Sequence, residues 1–153
     1  RIMNNGTHDK PCGYPQVGGY HRWRSRESWG TFGTLDPATA DMYSIGNLYY
    51  YLLTSSEPWK YLEPDGYMGR SDIRHAKIAG KIVPHVPPAL RNSSNPVDQV
   101  LYSAAMACFR AIPEERPTSH EVAIGLESAL EWITKKKNTT RDDMWNLFHK
   151  NKT

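Results

Sequence analysis

A mainly α-helical fold is predicted by three observations. Cap-then-proline pairs occur at Asp36-Pro37 and Asn95-Pro96, where the side chain of the first residue can accept an orphan amide and proline suits the first helical position. Thr118 with Glu121 three residues on forms a capping box. After each of these starts, apolar residues recur at helical spacing. No strand alternation and no internal repeat stands out from the rest.

The elements follow in order. Residues 1–34 are rich in glycine and lack a sustained period, so they read as one long loop. From Asp36-Pro37 onward Met42, Ile45, Tyr49, Leu52 and Leu53 fall on one helical face. The remainder of "DMYSIGNLYYYLLT" (41–54) is also apolar or aromatic, which predicts a helix buried nearly all round. A short polar helix is expected from after Ser71 to Gly80, a glycine stop. "KIVPHVPPAL" cannot extend it, because of its prolines. The helix opened by Asn95-Pro96 turns Val97, Val100, Leu101, Ala104, Ala105 and Cys108 inward. The one opened by Thr118 buries Val122, Leu126, Ala129, Leu130 and Ile133. Residues 134–153 read as a polar tail, with a short amphipathic turn through Met144, Trp145, Leu147 and Phe148.

Composition narrows the function classes. The chain has 153 residues, one domain's worth, with 39% hydrophobic and 23% charged residues. A formal net charge of +3 is too weak to argue for nucleic acid, and Lys135-Lys136-Lys137 suits a solvated helix end. No run approaches the ~20 apolar residues of a membrane span. Cys12 and Cys108 are too few for a disulfide framework. Two reduced thiols fit a cytoplasmic chain, and the N-x-S/T triplets at Asn5, Asn92, Asn138 and Asn151 would matter only in a secreted one. A zinc site from His8, Cys12 and His21 lacks a fourth ligand.

One residue asks for a partner elsewhere. Arg116 stands in "IPEERPTSHEV" between two glutamates and a Pro-Thr pair, in a rigid turn at the mouth of a helix. A local surface pair with Glu114 or Glu115 is the plain option.

Four segments stand in a fixed order: "GYHRWRSRE" (19–27), "DMYSIGNLYYYLLT" (41–54) with "SSEPW" after it, "IAGKIVPHVPP" (78–88) and "CFRAIPEERPT" (108–118). Together they resemble the helical C-terminal lobe of a eukaryotic-type protein kinase domain, of serine/threonine or tyrosine-kinase-like type, over roughly residues 1–133. The first is similar to the "GTxRWMAPE" end of an activation loop, the second to "DVYSFGVxLxELLT" with "GxxPF", and the last to "CWxxxPxxRPT". The resemblance implies that Glu27 pairs with Arg116 and that Asp41 receives backbone amides of the catalytic loop. It also implies that Tyr20, Arg22, Trp23 and Arg24 belong to the substrate-docking loop, with Thr118 and Glu121 structural. Tyr20 stands where many relatives carry threonine, and Arg26 replaces the usual proline.

The same resemblance implies what is missing. "HRD", "DFG", "GxGxxG" and a "VAIK"-like lysine are all absent from the sequence. The expectation is a fragment of a protein kinase, with no catalytic, cofactor-binding or metal-binding residue of its own. A complete parent kinase is expected to use ATP and magnesium and to act on protein Ser/Thr, with Tyr as the alternative. The partners expected are a protein or peptide substrate and the missing N-terminal lobe. The alternative is a catalytically dead kinase-like module that serves as a protein-binding scaffold. Tyr14, Tyr20, Thr7, Ser25 and Ser28 are phosphorylation candidates by position, and Trp23 either forms with Arg22 a platform for an acidic or phosphorylated peptide or plugs the core beneath the loop.

Overall fold

The structure is a computed structural model and describes residues 20–29, 36–62, 66–67, 69–81, 83–135 and 140–149. Among them the chain is mainly α. In order it forms α1 (Pro37–Thr54), a two-residue antiparallel pair β1 (Tyr61–Leu62) and β2 (Gly66–Tyr67), and α2 (Arg70–Ile78). Then come α3 (Pro88–Arg91), α4 (Pro96–Cys108), α5 (Ser119–Thr134) and α6 (Arg141–Phe148). Short 3-10 turns at Glu27–Trp29 and Pro113–Glu115 complete it.

The caps act as local chemistry requires. Asp36 Oδ1 accepts the Ala38 amide at 3.0 Å ahead of Pro37, and Asn95 Oδ1 accepts the Val97 amide at 2.9 Å ahead of Pro96. Thr118 Oγ1 accepts the Glu121 amide, and the Glu121 carboxylate accepts the Thr118 amide. α2 starts one residue before Ser71, at Arg70, because the Asp72 carboxylate reaches back to the Gly69 amide at 3.0 Å. The chain then leaves α2 through Gly80 at φ +94°, a conformation costly for any residue with a Cβ.

α1 and α4 form the centre. Their backbones close on one another at Gly46, where a Cβ would lie 2.8 Å from the Cys108 Cβ and 3.1 Å from the Phe109 ring. Around this contact Tyr43, Tyr50, Ala105 and Phe109 form one cluster, and Met42, Cys108 and Val122 a second. The Tyr43 and Phe109 rings meet tilted, centroids 5.0 Å apart. Cys108 is buried, which pushes its thiol up to about 12.

Several expectations are corrected. α1 is not buried all round: Leu48, Tyr51 and Leu52 are 48, 45 and 56% exposed. Its inward side runs through Met42, Tyr43, Gly46, Asn47, Tyr50 and Leu53. Val97 and Leu130 also face outward. As expected, the proline-rich stretch does not extend α2, which ends at Ile78, but it adds the single turn of α3, since Pro88 sits at its permitted first position. Residues 141–148 are more than an amphipathic turn in a polar tail. Thr140 and Asp143 cap a true helix there. Met144 and Phe148 join Val100, Ala104, Ala107 and Ala129 in the third core cluster. α6 thus shares the core of α4 and α5.

Candidate functional site

The segment 20–29 lies against α1 at Ser44 and Asn47 and against α2 at Lys77. It is built almost without sheet or helix partners, so its backbone carbonyls need donors from elsewhere. Three consecutive carbonyls find them in side chains. Lys77 of α2 donates its ammonium to Arg22 O at 3.0 Å and also to Arg24 O. Asn47 of α1 donates to Trp23 O at 3.0 Å, joined by Ser44 Oγ at 3.3 Å. Two helices therefore hold one loop at three successive residues.

Lys77 is fully buried, and its ammonium lies 4.9 Å from the Tyr43 ring centroid and 5.0 Å from that of Trp59. Burial pushes its pKa down to about 7, against the pull of Glu27 and with the push of Arg24. Arg22 is buried too. It donates Nη1 to Trp59 O, and its Nε lies 3.6 Å from Glu57. The Tyr20 hydroxyl reaches the same Glu57 carboxylate at 3.5 Å.

Glu27 and Arg116 come together across 89 residues of sequence in a two-pronged pair. Arg116 Nη1 donates to Glu27 Oε1, and Nη2 to Oε2 at 3.1 Å. The same guanidinium donates to Thr39 O at 2.8 Å and Arg110 O at 3.0 Å. Its carbon lies 5.3 Å from the Tyr43 ring, the ring that also faces Lys77. Burial raises the Glu27 carboxyl, but Arg116 outweighs it and leaves the pKa below the ordinary carboxylate value. Glu114 and Glu115 are exposed.

The other expected residues fall as follows. Tyr20 is exposed, and Trp23 and Arg24 are half-buried. Arg22 faces inward, so with Trp23 it makes no surface platform; its charge answers a carbonyl and Glu57 beneath the loop. Asp41 is exposed on the second turn of α1; the catalytic loop whose amides the resemblance would bring to it is not in this sequence. Ser25 and Ser28 are buried with their hydroxyls 2.6 Å apart, which shields both from modification. Thr7, His8, Cys12 and Tyr14 lie outside the described residues.

Sequence reasoning missed Lys77, Asn47 and Trp59. Asn47 carried a signal, a polar side chain on the inward side of an apolar helix, which needs a partner. Lys77 carried none, because a lysine on a polar helix reads as solvated. Trp29 was also overlooked: the Arg24 guanidinium lies 4.8 Å and that of Arg74 5.8 Å from its ring centroid.

Among the described residues no three His, Cys, Asp or Glu side chains converge, and the Lys77 ammonium is directed at carbonyls. What these residues do in the structure is brace one loop against two helices. No described helix is long and apolar enough to cross a membrane. A scan against protein-family models and a search of curated proteins found no match for this chain.

Proposed function

We propose that this chain is the helical C-terminal lobe of a eukaryotic-type protein kinase domain. In a longer protein it holds the protein substrate while the γ-phosphate of ATP passes to a serine or threonine hydroxyl. The observation that carries this reading is the two-pronged Glu27–Arg116 pair. It joins the "RWRSRE" and "EERPT" segments on which the kinase resemblance rests. The braced carbonyls of residues 22–24 support it, because a peptide-docking loop must be rigid to position a hydroxyl.

The reading assigns ATP and magnesium to residues other than these. The test is phosphoryl transfer from labelled ATP by the longer protein that contains this chain, on a mixed protein substrate. Incorporation on serine and threonine, abolished when its magnesium-binding aspartate is replaced, is the expected result. Equal incorporation with and without that aspartate would refute it. Peptide binding with no transfer at all would favour the scaffold alternative, for which Arg26 in the proline position already speaks. The 153-residue chain itself should show no shift in melting temperature with magnesium–ATP.

A further inference from the structure

Positive charge gathers where the loop meets α2. Arg24 comes from the loop, and Arg70 and Arg74 are exposed one turn apart on α2. The Arg24 and Arg74 guanidiniums lie against the same Trp29 ring, 4.8 and 5.8 Å from its centroid. Arg24 is further fixed by donating Nη2 to Ser28 O at 2.6 Å. Such crowding of like charge raises the energy of the uncomplexed surface and is relieved by an anion.

The described carboxylates of these elements are committed elsewhere. Glu27 is held by Arg116, Glu57 by Arg22 and Tyr20, and Asp72 by the Gly69 amide. The field of the cluster reaches its members. Arg24 is lowered by burial and then by Arg70, and His21 by burial and then by Arg22, Arg70 and Lys77.

We propose that Arg70 and Arg74, with Arg24 fixed on Trp29, receive a phosphorylated serine or threonine of a peptide bound along residues 20–27. This rests on the reading of that segment as the peptide-docking loop. A phosphate is the matching anion, since several forked donors meet a dianion with three acceptor oxygens. The protein would then prefer substrates already phosphorylated near the residue it presents.

The experiment is fluorescence polarisation with the full chain and three matched peptides bearing phosphoserine, glutamate or serine at one position. The phosphoserine peptide should bind about tenfold tighter than its serine twin, a gap that shrinks with salt. Arg70→Gln/Arg74→Gln should erase the gap without lowering the melting temperature, because both side chains are exposed and their mutual repulsion is removed. Arg70→Lys/Arg74→Lys should keep part of it, and Arg91→Gln on α3 should keep all of it. Equal binding of the three peptides, or a gap that survives the double Gln variant, overturns the proposal. So does a glutamate peptide as tight as the phosphoserine one. Because binding is read directly, a failure here is separate from a failure of phosphoryl transfer in the longer protein.

Discussion

Arg116 satisfies four acceptors at once: both Glu27 oxygens, Thr39 O and Arg110 O. Its loss strands a buried carboxylate and two carbonyls. Arg116→Ala should therefore lower stability by ~3–5 kcal/mol in urea unfolding. Arg116→Lys should recover little, since an ammonium lacks the fork. Glu27 also sets an acid limit. Its folded pKa lies below the unfolded value, so its contribution is complete above the ordinary pKa of 4.5 and is lost as pH falls through the folded value. A Glu27→Gln variant should lose this part of the acid transition. Lys77 has the opposite pH dependence. With a folded pKa of about 7 against an ordinary 10.5, the unfolded chain binds the extra proton between those values. Stability of the native chain relative to Lys77→Met should then rise with pH across that window, by at most ~1.4 kcal/mol per unit. A difference that stays flat from pH 7 to 10 would contradict this.

At the scale of elements, two glycines decide how helices meet. Alanine is the better helix former by ~1 kcal/mol, yet at Gly46 its methyl would press on Cys108 and Phe109 at 2.8–3.1 Å. At Gly125 it would meet the Phe148 ring at 2.6 Å. Overpacking outweighs propensity at such distances. Gly125→Ala should loosen α6 alone, seen as faster amide exchange over residues 141–148. Gly46→Ala should lower the global melting temperature. The starts of α1, α4 and α5 were legible in the sequence because caps and prolines act within three residues. The outward side of α1 was not, because Leu48, Tyr51 and Leu52 are as apolar as the residues that pack. Nor was the docking of α6, which depends on a glycine sixteen or more residues away rather than on its own pattern. Within the candidate site, Glu27 and Arg116 could be paired only through a resemblance that spans both segments. The Lys77 brace joins two elements with no local signal between them.

For the whole molecule, the exposed apolar side of α1 has a direct consequence. Leu48, Tyr51 and Leu52 form adjacent turns of one surface, and such patches drive association. The isolated chain should self-associate with rising concentration in sedimentation velocity, and Leu48→Lys/Leu52→Glu should reduce this while leaving helix content intact. The three arginines of "RWRSRE" bear on a different property of the chain. A protease must draw several residues into an extended strand before it can cut, and here the carbonyls of residues 22, 23 and 24 are tethered to Lys77 and Asn47. Arg22, Arg24 and Arg26 should therefore be poor trypsin sites despite their chemistry, cleaved only as fast as the loop detaches from both helices. Lys77→Met should turn that quiet stretch into one of the first places the enzyme cuts.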